Sequence, residues 1–394
     1  MRWLVESIFQ QTKTDIMKLA IFTLVQHSFK DGRYYGYAPY VNEMNLWGKY
    51  VEEVVVVGTK KPINAVDDLD TAYQHPHLKF VPVPNFNILG IMDTFKTLIK
   101  LPYIFVKCVQ VMRQADHIHL RCPANVSLVA CFAQIFFPNK KKSTKYAGNW
   151  DPNSNQPWTY RLQQAILRNT FLTRNMQVLV YGEWPNETTN IHPFISATYY
   201  EDEKVAFNPK DYTQTLSFVF AGALVVGKRP LLTIQIIERL HHKGIPVLLH
   251  MYGDGLLMPE LQEYVKTNGL ESVVVLYGNQ DKRVVKASLV EAHFNILPSK
   301  SEGWPKAVAE GMFFGCIPIA TPVSCVGWML GEGSRGILIE AELEAAVERI
   351  VTAVTTSDLD AMAKAALTWS QQYTFDRLEA DIGRVLAGSY RCEV

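Results

Sequence analysis

The chain has 394 residues, 48% hydrophobic and 20% charged, with a formal net charge of +1. At ~150 residues per domain this allows two or three domains, each with an adequate core. The balance excludes a disordered polyelectrolyte, and no apolar run approaches the ~20 residues that a membrane span needs. The charge is uneven, because residues 1–200 carry +7 and the remainder −6. Either one half faces an anionic partner or the asymmetry is plain surface variation. The six cysteines, Cys108, Cys122, Cys131, Cys316, Cys325 and Cys392, form no Cys-x-x-Cys pair. They read as reduced thiols packed in cores, in a cytosolic compartment, and not as a disulfide frame or a zinc site.

Residues 1–16, "MRWLVESIFQQTKTDI", have only short apolar runs and carry Glu6 and Asp15, which makes a poor secretory signal. A strand pattern opens directly at Met17 with "MKLAIFTLV", so 1–16 is expected to be an extension outside the fold, with disorder as one reading of it. Strands are predicted at 19–25, 51–58, 78–84, 117–121, 143–148 and 177–182, and helices near 36–49, 89–114, 125–137 and 157–170. The segment "QHSFKDGRYYGY" (26–37) falls between elements as a loop, "DDLD" (67–70) as a solvated turn, and "KKKSTK" (140–145) as the one notable charge run. After the polar stretch 201–215 the alternation restarts. Strands are predicted at 216–222, 246–253, 272–278, 293–299 and 316–321, helices near 230–243, 257–268, 281–291 and 305–314, and a last amphipathic helix over 375–390. Strand-then-helix repetition predicts two doubly wound α/β domains with parallel sheets, joined near 200–212, and ligands beyond the carboxyl ends of the strands. Gly222, Gly253 and Gly278 end three of those strands, where they would let a ligand approach the backbone.

The stretch "SEGWPKAVAEGMFFGCIPIAT" (301–321) places Glu302 in a loop and Glu310 inside the next helix. Pro305 suits the first helical position. At 1.5 Å per residue the two glutamates lie on the order of 8 Å apart along the axis. The helix N-terminus between them offers free N–H groups and a partial positive charge, suited to phosphate. A carboxylate, an anion hole and a second carboxylate match the sugar hydroxyls, diphosphate and ribose hydroxyls of a nucleotide-sugar in that order. A capped helix with incidental glutamates is the plain alternative.

This segment resembles the E-x7-E signature of the retaining GT-B glycosyltransferases called group 1 or family 4. "FAGALVVGKRP", "LHMYGDG", "VVVLYGN" and "LPSKSEGWPKAVAEGM" resemble further loops of that family, over the whole second half of the chain. The resemblance implies a GT-B fold: two Rossmann-like domains facing across a cleft, with an acceptor domain at 17–205, a nucleotide-sugar domain at 206–374 and a final helix, 375–394, returning to the first domain. It implies that Glu302 contacts the donor sugar near the reacting carbon, that Glu310 holds the ribose, and that Lys228 and Arg229 neutralise the diphosphate. Gly303, Trp304, Lys306 and Ala307 would line the anion site. Gly222, Gly253 and Ser299 would complete the donor site, with Gly278 and Asn279 bordering the base.

Two departures stand out. Ala223 replaces the family's usual second phosphate-binding Arg, and Arg229, in a slot usually held by Gly, is expected to supply that charge. In the first half, where the family often places a His, this chain has "KYAGNWDPN" (145–153). Asn149 is taken as the third catalytic candidate beside Glu302 and Lys228, Trp150 as an acceptor contact and Asp151 as an acid/base candidate. His119 and Arg121 are further acceptor candidates; His117 and His119 lie on one strand, and a structural histidine facing the core is the alternative. His27, Tyr34, Tyr35 and Gly36 fall in the expected acceptor loop; an exposed tyrosine-rich turn is the alternative. No metal is expected: "DDLD" is far from the E-x7-E segment in sequence, and Lys228, Arg229 and the helix N-terminus can offset the diphosphate.

The expected reaction is hexosyl transfer from a nucleotide-diphosphate sugar to an acceptor hydroxyl with retention, in bacterial-type surface polysaccharide or glycolipid assembly. No cofactor is required, and no nucleic acid is expected as a partner. The helix over 91–113 mixes apolar and basic residues, which with "KKKSTK" suits a cytoplasmic protein in peripheral contact with anionic membrane and with a lipid-linked acceptor. The alternative for that helix is partial burial on the sheet. A nucleotide-sugar 2-epimerase and a non-catalytic nucleotide-sugar binder are the rival readings. A nicotinamide dehydrogenase is disfavoured, because no G-x-G-x-x-G follows the first strand.

Overall fold

The structure, a computed structural model, describes residues 17–85 and 91–390. The expected extension at 1–16 and Cys392 lie outside these residues. The N-terminal half contains β1 (Lys18–Lys30), β2 (Arg33–Tyr37), α1 (Ala38–Gly48), β3 (Glu53–Lys60), β4 (Asp70–Ala72), β5 (Leu78–Pro82), α2 (Ile91–Gln114), β6 (His117–Cys122), α3 (Asn125–Ala133), β7 (Lys141–Tyr146), α4 (Trp158–Arg168), β8 (Met176–Tyr181) and β9 (Ile191–Phe194). Its parallel sheet runs β5-β3-β1-β6-β7-β8-β9. The C-terminal half contains β10 (Leu216–Ala221), α5 (Pro230–His242), β11 (Val247–Tyr252), α6 (Met258–Thr267), β12 (Val274–Gly278), α7 (Lys282–Glu291), β13 (Phe294–Leu297), α8 (Lys306–Phe313), β14 (Ile317–Ala320), α9 (Val326–Met329), β15 (Ile337–Leu338), α10 (Leu343–Thr356) and α11 (Leu359–Ser370). Its sheet is parallel throughout, in the order β12-β11-β10-β13-β14-β15. Both sheets therefore change winding direction beside their first strand, at β1/β6 and at β10/β13. Crevices open at such switch points, beyond the strand carboxyl ends.

Each sheet is built from short apolar runs buried on both faces, as parallel strands require. β3, "EVVVVGTK", is buried from Val54 to Thr59. The last helix, α12 (Phe375–Ala387), leaves the C-terminal half and completes the core of the N-terminal half. Its Leu378, Ile382, Val385 and Leu386 pack in one cluster with Trp47, Val54 and Phe194. Lys49 Nζ meets Glu379 Oε2 at 2.6 Å, and the Tyr390 hydroxyl donates to Pro193 O at 2.8 Å.

Three expectations change. The segment 26–37 is a hairpin, because β1 continues to Lys30 and turns at Asp31–Gly32 into antiparallel β2. "KKKSTK" is not a surface charge run, since β7 lies between β6 and β8 with Lys142 and Lys145 buried. Both amines are satisfied internally: Lys142 Nζ donates to Gln134 Oε1 at 2.8 Å, and Lys145 Nζ donates to Glu43 Oε2 at 2.9 Å and Ile195 O at 3.1 Å. That removes Lys142 and Lys145 from any membrane contact. The short strands β4, β9 and β15 were not anticipated; β9 carries Pro193 and is an edge strand, where a missing N–H is tolerated. Cys108, Cys122, Cys131, Cys316 and Cys325 are buried free thiols.

Candidate functional site

β13 ends at Leu297, and the loop 298–305 carries Glu302 to the start of α8. Glu310 follows on the second turn of that helix. Pro305 O accepts the N–H groups of Val308 and Ala309, which leaves those of Lys306 and Ala307, at the very start of the helix, without an intrahelical partner. Both glutamates line one cleft of about 600 Å³, a size ordinary for small-ligand sites. Gly222, Ala223 and Lys228 come to it from the end of β10, Gly253 and Asp254 from β11, and Asn279 and Gln280 from β12. Trp304, Lys306 and Ala307 come from the start of α8.

Lys228 Nζ sits 2.5 Å from Glu302 Oε1, in a cleft where Glu302 is almost wholly buried. At the other end, burial raises the pKa of Glu310, against the opposing influence of a Thr198 hydrogen bond and of Lys306 and Lys282. Burial lowers the pKa of Lys306, against Glu43 and Glu310, which favour its charged form. Lys282 Nζ donates to Thr198 O at 2.8 Å and lies 4.2 Å from the centroid of the Tyr199 ring. The connection between the two halves is thereby tied to the floor of the cleft.

The remaining donor candidates divide. Arg229 has φ 51° and ψ 51°, the left-handed region that explains why a glycine suits its slot. Its Nη1 donates to Pro298 O at 3.2 Å and to Ser299 O at 3.4 Å, so its guanidinium braces the strand end and does not line the cleft. The expectation that it replaces the charge missing at Ala223 is therefore not met in this geometry. Ser299 is buried, with its hydroxyl unpaired. Gly278 O accepts the N–H of Gly253 at 2.8 Å. A Cβ on Gly253 would lie 2.0 Å from Gly222 O, so this glycine is demanded by backbone packing, not by ligand approach. Trp304 touches the cleft, but its ring packs among Trp328, Trp369, Tyr373 and Tyr181. Gly303 is pressed against the other half of the molecule, because a Cβ there would lie 2.6 Å from Ala147 O.

The acceptor candidates are mostly taken up by the fold. His27 is buried, its Nε2 is 2.8 Å from the Tyr73 hydroxyl, and burial lowers its pKa to about 4. His119 is fully buried against Trp47 and hydrogen-bonds Ser143. Arg121 Nη1 pairs with Glu43 Oε1 at 2.8 Å inside the N-terminal half. Trp150 is fully buried; its indole donates to Glu187 Oε1 at 2.7 Å, and the Arg168 guanidinium covers its ring. Tyr34 packs on Phe29 and Phe80, Tyr35 pairs with Ala72 across the strands, and Gly36 is buried. Asp151 Oδ1 accepts the N–H of Asn153 within a turn. Asn149 does meet the loop of Glu302, with its Nδ2 donating to Ser301 Oγ at 3.3 Å.

Sequence reasoning missed the residues that the N-terminal half brings to the cleft, Tyr37 and Leu69. Leu69 belongs to the "DDLD" turn, whose Asp67 and Asp70 are bound by Lys61. β4 pairs with β2 and carries that turn to the cleft. The Asp31–Gly32 turn signal could have disclosed the hairpin, and with it the exposed Tyr37. Among the described residues, no group of three or more His, Cys, Asp and Glu is placed to hold a metal ion.

Residues 215–356, which carry the glutamate pair, match the family described as Glycosyl transferases group 1. An uncharacterized glycosyltransferase of Methanocaldococcus jannaschii is 30% identical over 139 residues, which span 35% of this chain and 37% of that relative. Among solved structures, HepE of Anabaena in complex with UDP and glucose superposes with a TM-score of 0.64 at 15% identity, over 94% of this chain and 99% of that one. The fold is GT-B. Sucrose-phosphate synthase of Thermosynechococcus elongatus shares it, with a TM-score of 0.63 at 14% identity over 94% of this chain and 98% of that one. So does a glycosyltransferase of Rickettsia africae, with a TM-score of 0.63 at 13% identity over 95% and 99%. The GT-B frame gives the cleft its position between the two halves, at the β10/β13 switch point.

Proposed function

We propose that the chain is a retaining glycosyltransferase that moves a hexosyl group from a nucleotide-diphosphate sugar to an acceptor hydroxyl. The observation that carries this reading is the cleft itself, with the Lys228–Glu302 pair at one end of the α8 N-terminus and Glu310 at the other. The diphosphate would rest on the free N–H groups of α8, with Lys228 and Lys306 beside it. Glu302 would then accept hydrogen bonds from donor-sugar hydroxyls, and Glu310 from the ribose.

In the reaction the bond between the anomeric carbon and the diphosphate oxygen breaks. A bond to the acceptor oxygen forms on the same face, and the acceptor proton passes to the departing phosphate oxygen. The transition state resembles an oxocarbenium ion. Stabilising the leaving diphosphate with fixed cations and dipoles is the main requirement, which supports metal-independent chemistry without a cofactor. In this reading 17–205 is the acceptor domain, 206–374 the nucleotide-sugar domain, and 375–394 the returning segment. Sugars and lipid-linked sugars are the acceptors, in surface polysaccharide or glycolipid assembly on the cytoplasmic face of a membrane. Exposed Ala223 in the cleft keeps a weak or non-catalytic binder as the second reading.

The test is a thermal-shift panel of UDP-, GDP- and ADP-sugars, followed by turnover of the strongest stabiliser and NMR of the product's anomeric configuration. One clear stabiliser and a retained configuration are expected. A free epimerised nucleotide-sugar without any acceptor would assign the cleft to a 2-epimerase, and binding without turnover on any acceptor would assign it to a binder.

A further inference from the structure

Between Ile99 and Gly182 the chain has eleven Lys and Arg against two Asp and no Glu, within a total net charge of +1. Four of those cations, Arg121, Lys142, Lys145 and Arg168, turn inward onto Glu43, Gln134 and Glu187. Of the others, Lys100, Lys107 and Arg113 lie on α2 and Arg161 on α4, in the helical layer that covers one face of the N-terminal sheet.

α2 is apolar on two opposite sides. Its inward stripe, Ile104, Cys108 and Met112, is fully buried. Its outward stripe, spaced i, i+4, i+7, leaves Ile99 69%, Tyr103 51% and Val106 51% exposed. Phe136, 69% exposed, stands beside the same helix, in edge contact with the half-buried Phe105 at 6.0 Å. A helix whose outer face repeats large apolar tips signals a surface that something covers. Lys100, Lys107 and Arg113 flank the stripe, and no carboxylate lies on α2 from Ile99 onward. The next in sequence, Asp116, accepts the N–H of Lys18.

The chemistry selects the covering partner. Apolar tips in line along one helix face, with lysine arms long enough to carry their charge outward, fit a helix lying in the headgroup plane of an anionic bilayer. A nucleic acid would have no use for the apolar tips. Topology sets the orientation. α2 joins parallel β5 to β6, so its first turns lie at the carboxyl end of the sheet, where the cleft opens. Ile99 stands about 22 Å up the helix axis from Gln114, level with the ends of six-residue strands of about 20 Å.

We propose that the outward stripe of α2, together with Phe136, docks the protein on anionic lipid with the cleft opening beside the headgroups. Docking stands or falls apart from the transfer reaction; only the idea that it serves a lipid-borne acceptor rests on the proposed function. The test is co-sedimentation of the full chain with vesicles of phosphatidylcholine mixed with phosphatidylglycerol, and with vesicles of phosphatidylcholine alone. Binding to the mixed vesicles, weakened by salt, is expected. The double variant Ile99→Asp/Val106→Asp should lose it, and Lys107→Glu and Arg113→Glu should each weaken it at least roughly fivefold. Melting temperature and turnover on a water-soluble acceptor should stay unchanged in all three. Failure to pellet with mixed vesicles, or undiminished pelleting of all three variants, overturns the proposal. So does sedimentation of the wild type as a dimer that Ile99→Asp/Val106→Asp converts to monomer, since the stripe would then be covered by a second copy.

Discussion

Lys228 Nζ and Glu302 Oε1 lie 2.5 Å apart, two residues 74 positions apart in sequence brought together by the loops after the adjacent strands β10 and β13. Each offsets the charge of the other across the cleft. An arriving diphosphate would draw on the charge of Lys228, releasing Glu302 to hydrogen-bond sugar hydroxyls. Lys228→Ala and Glu302→Ala are each expected to lower kcat by roughly 10²–10³-fold, the usual cost of losing one transition-state contact. Circular dichroism should show the fold retained in both, with Lys228→Ala melting lower than Glu302→Ala because it leaves the nearly buried Glu302 carboxylate without its counter-charge. Wild-type rates in both variants would falsify the site assignment.

Ala223 is exposed on the cleft, whereas the Arg229 guanidinium is bound to Pro298 O and Ser299 O. Ala223→Arg is expected to tighten donor binding by roughly tenfold, as an added charged hydrogen bond does. Arg229→Gly should leave donor affinity nearly unchanged, since it removes a side chain that does not face the cleft and relieves a left-handed backbone. Titration calorimetry with the donor identified by thermal shift checks both. A large loss of affinity in Arg229→Gly would return that residue to the phosphate site.

Glu310 carries a pH signature. Its folded pKa is raised by burial above the ordinary 4.5. Between the unfolded and folded values the folded state therefore holds more protons, and stability falls as pH rises through that window. Glu310→Gln should melt higher than wild type at neutral pH, and the gap should close as pH falls to the ordinary carboxylate range. The same variant should bind donor more weakly at neutral pH, having lost a ribose acceptor. A melting difference that grows toward low pH would contradict the burial argument.

Gly303 and Ala147 bring the two halves of the molecule into backbone contact. A methyl group on Gly303 would lie 2.6 Å from a carbonyl oxygen, which no side-chain rotation can relieve. Gly303→Ala is expected to push the 301–303 loop away from 147–149, weakening the Asn149–Ser301 hydrogen bond. A lower kcat and a wider solution scattering envelope are the readouts, and unchanged values of both would show that the loops give way freely.

Glu43 holds two buried cations, Arg121 and Lys145, at 2.8 and 2.9 Å. Burial alone would raise its pKa, but the two cations outweigh that and hold it below the ordinary value. Lys145, despite this partner, is pulled by burial down to about 8. Glu43→Gln would leave both cations without a counter-charge and is expected to destabilise by about 3–5 kcal/mol, measured by urea unfolding at neutral pH.

Much of this molecule was legible in advance, and for identifiable reasons. Strands such as β3 and β10 are continuous apolar runs with nowhere to go but a buried parallel sheet. The Glu302-to-Glu310 spacing survives because it is local to one loop and one helix. What was misread depends on distant partners. "KKKSTK" looks solvated until Glu43 and Gln134, from other helices, are placed beside Lys145 and Lys142. Trp150 looks like a sugar platform until Glu187 and Arg168 enclose it. Tyr37 and Leu69 reach the cleft only because a hairpin and a short strand pair there, a contact that no single stretch of sequence encodes.

The return of α12 has a bearing on how this protein is made. Trp47, Val54 and Phe194 are synthesised before the C-terminal half, yet the apolar face that seals them, Leu378 to Leu386, is synthesised after it. The N-terminal half must wait with part of its interior open while the C-terminal half folds. A chain that stalls before α12 would thus release a fragment with a sticky, unfinished first half, and loss of α12 would be felt in the half that was made first.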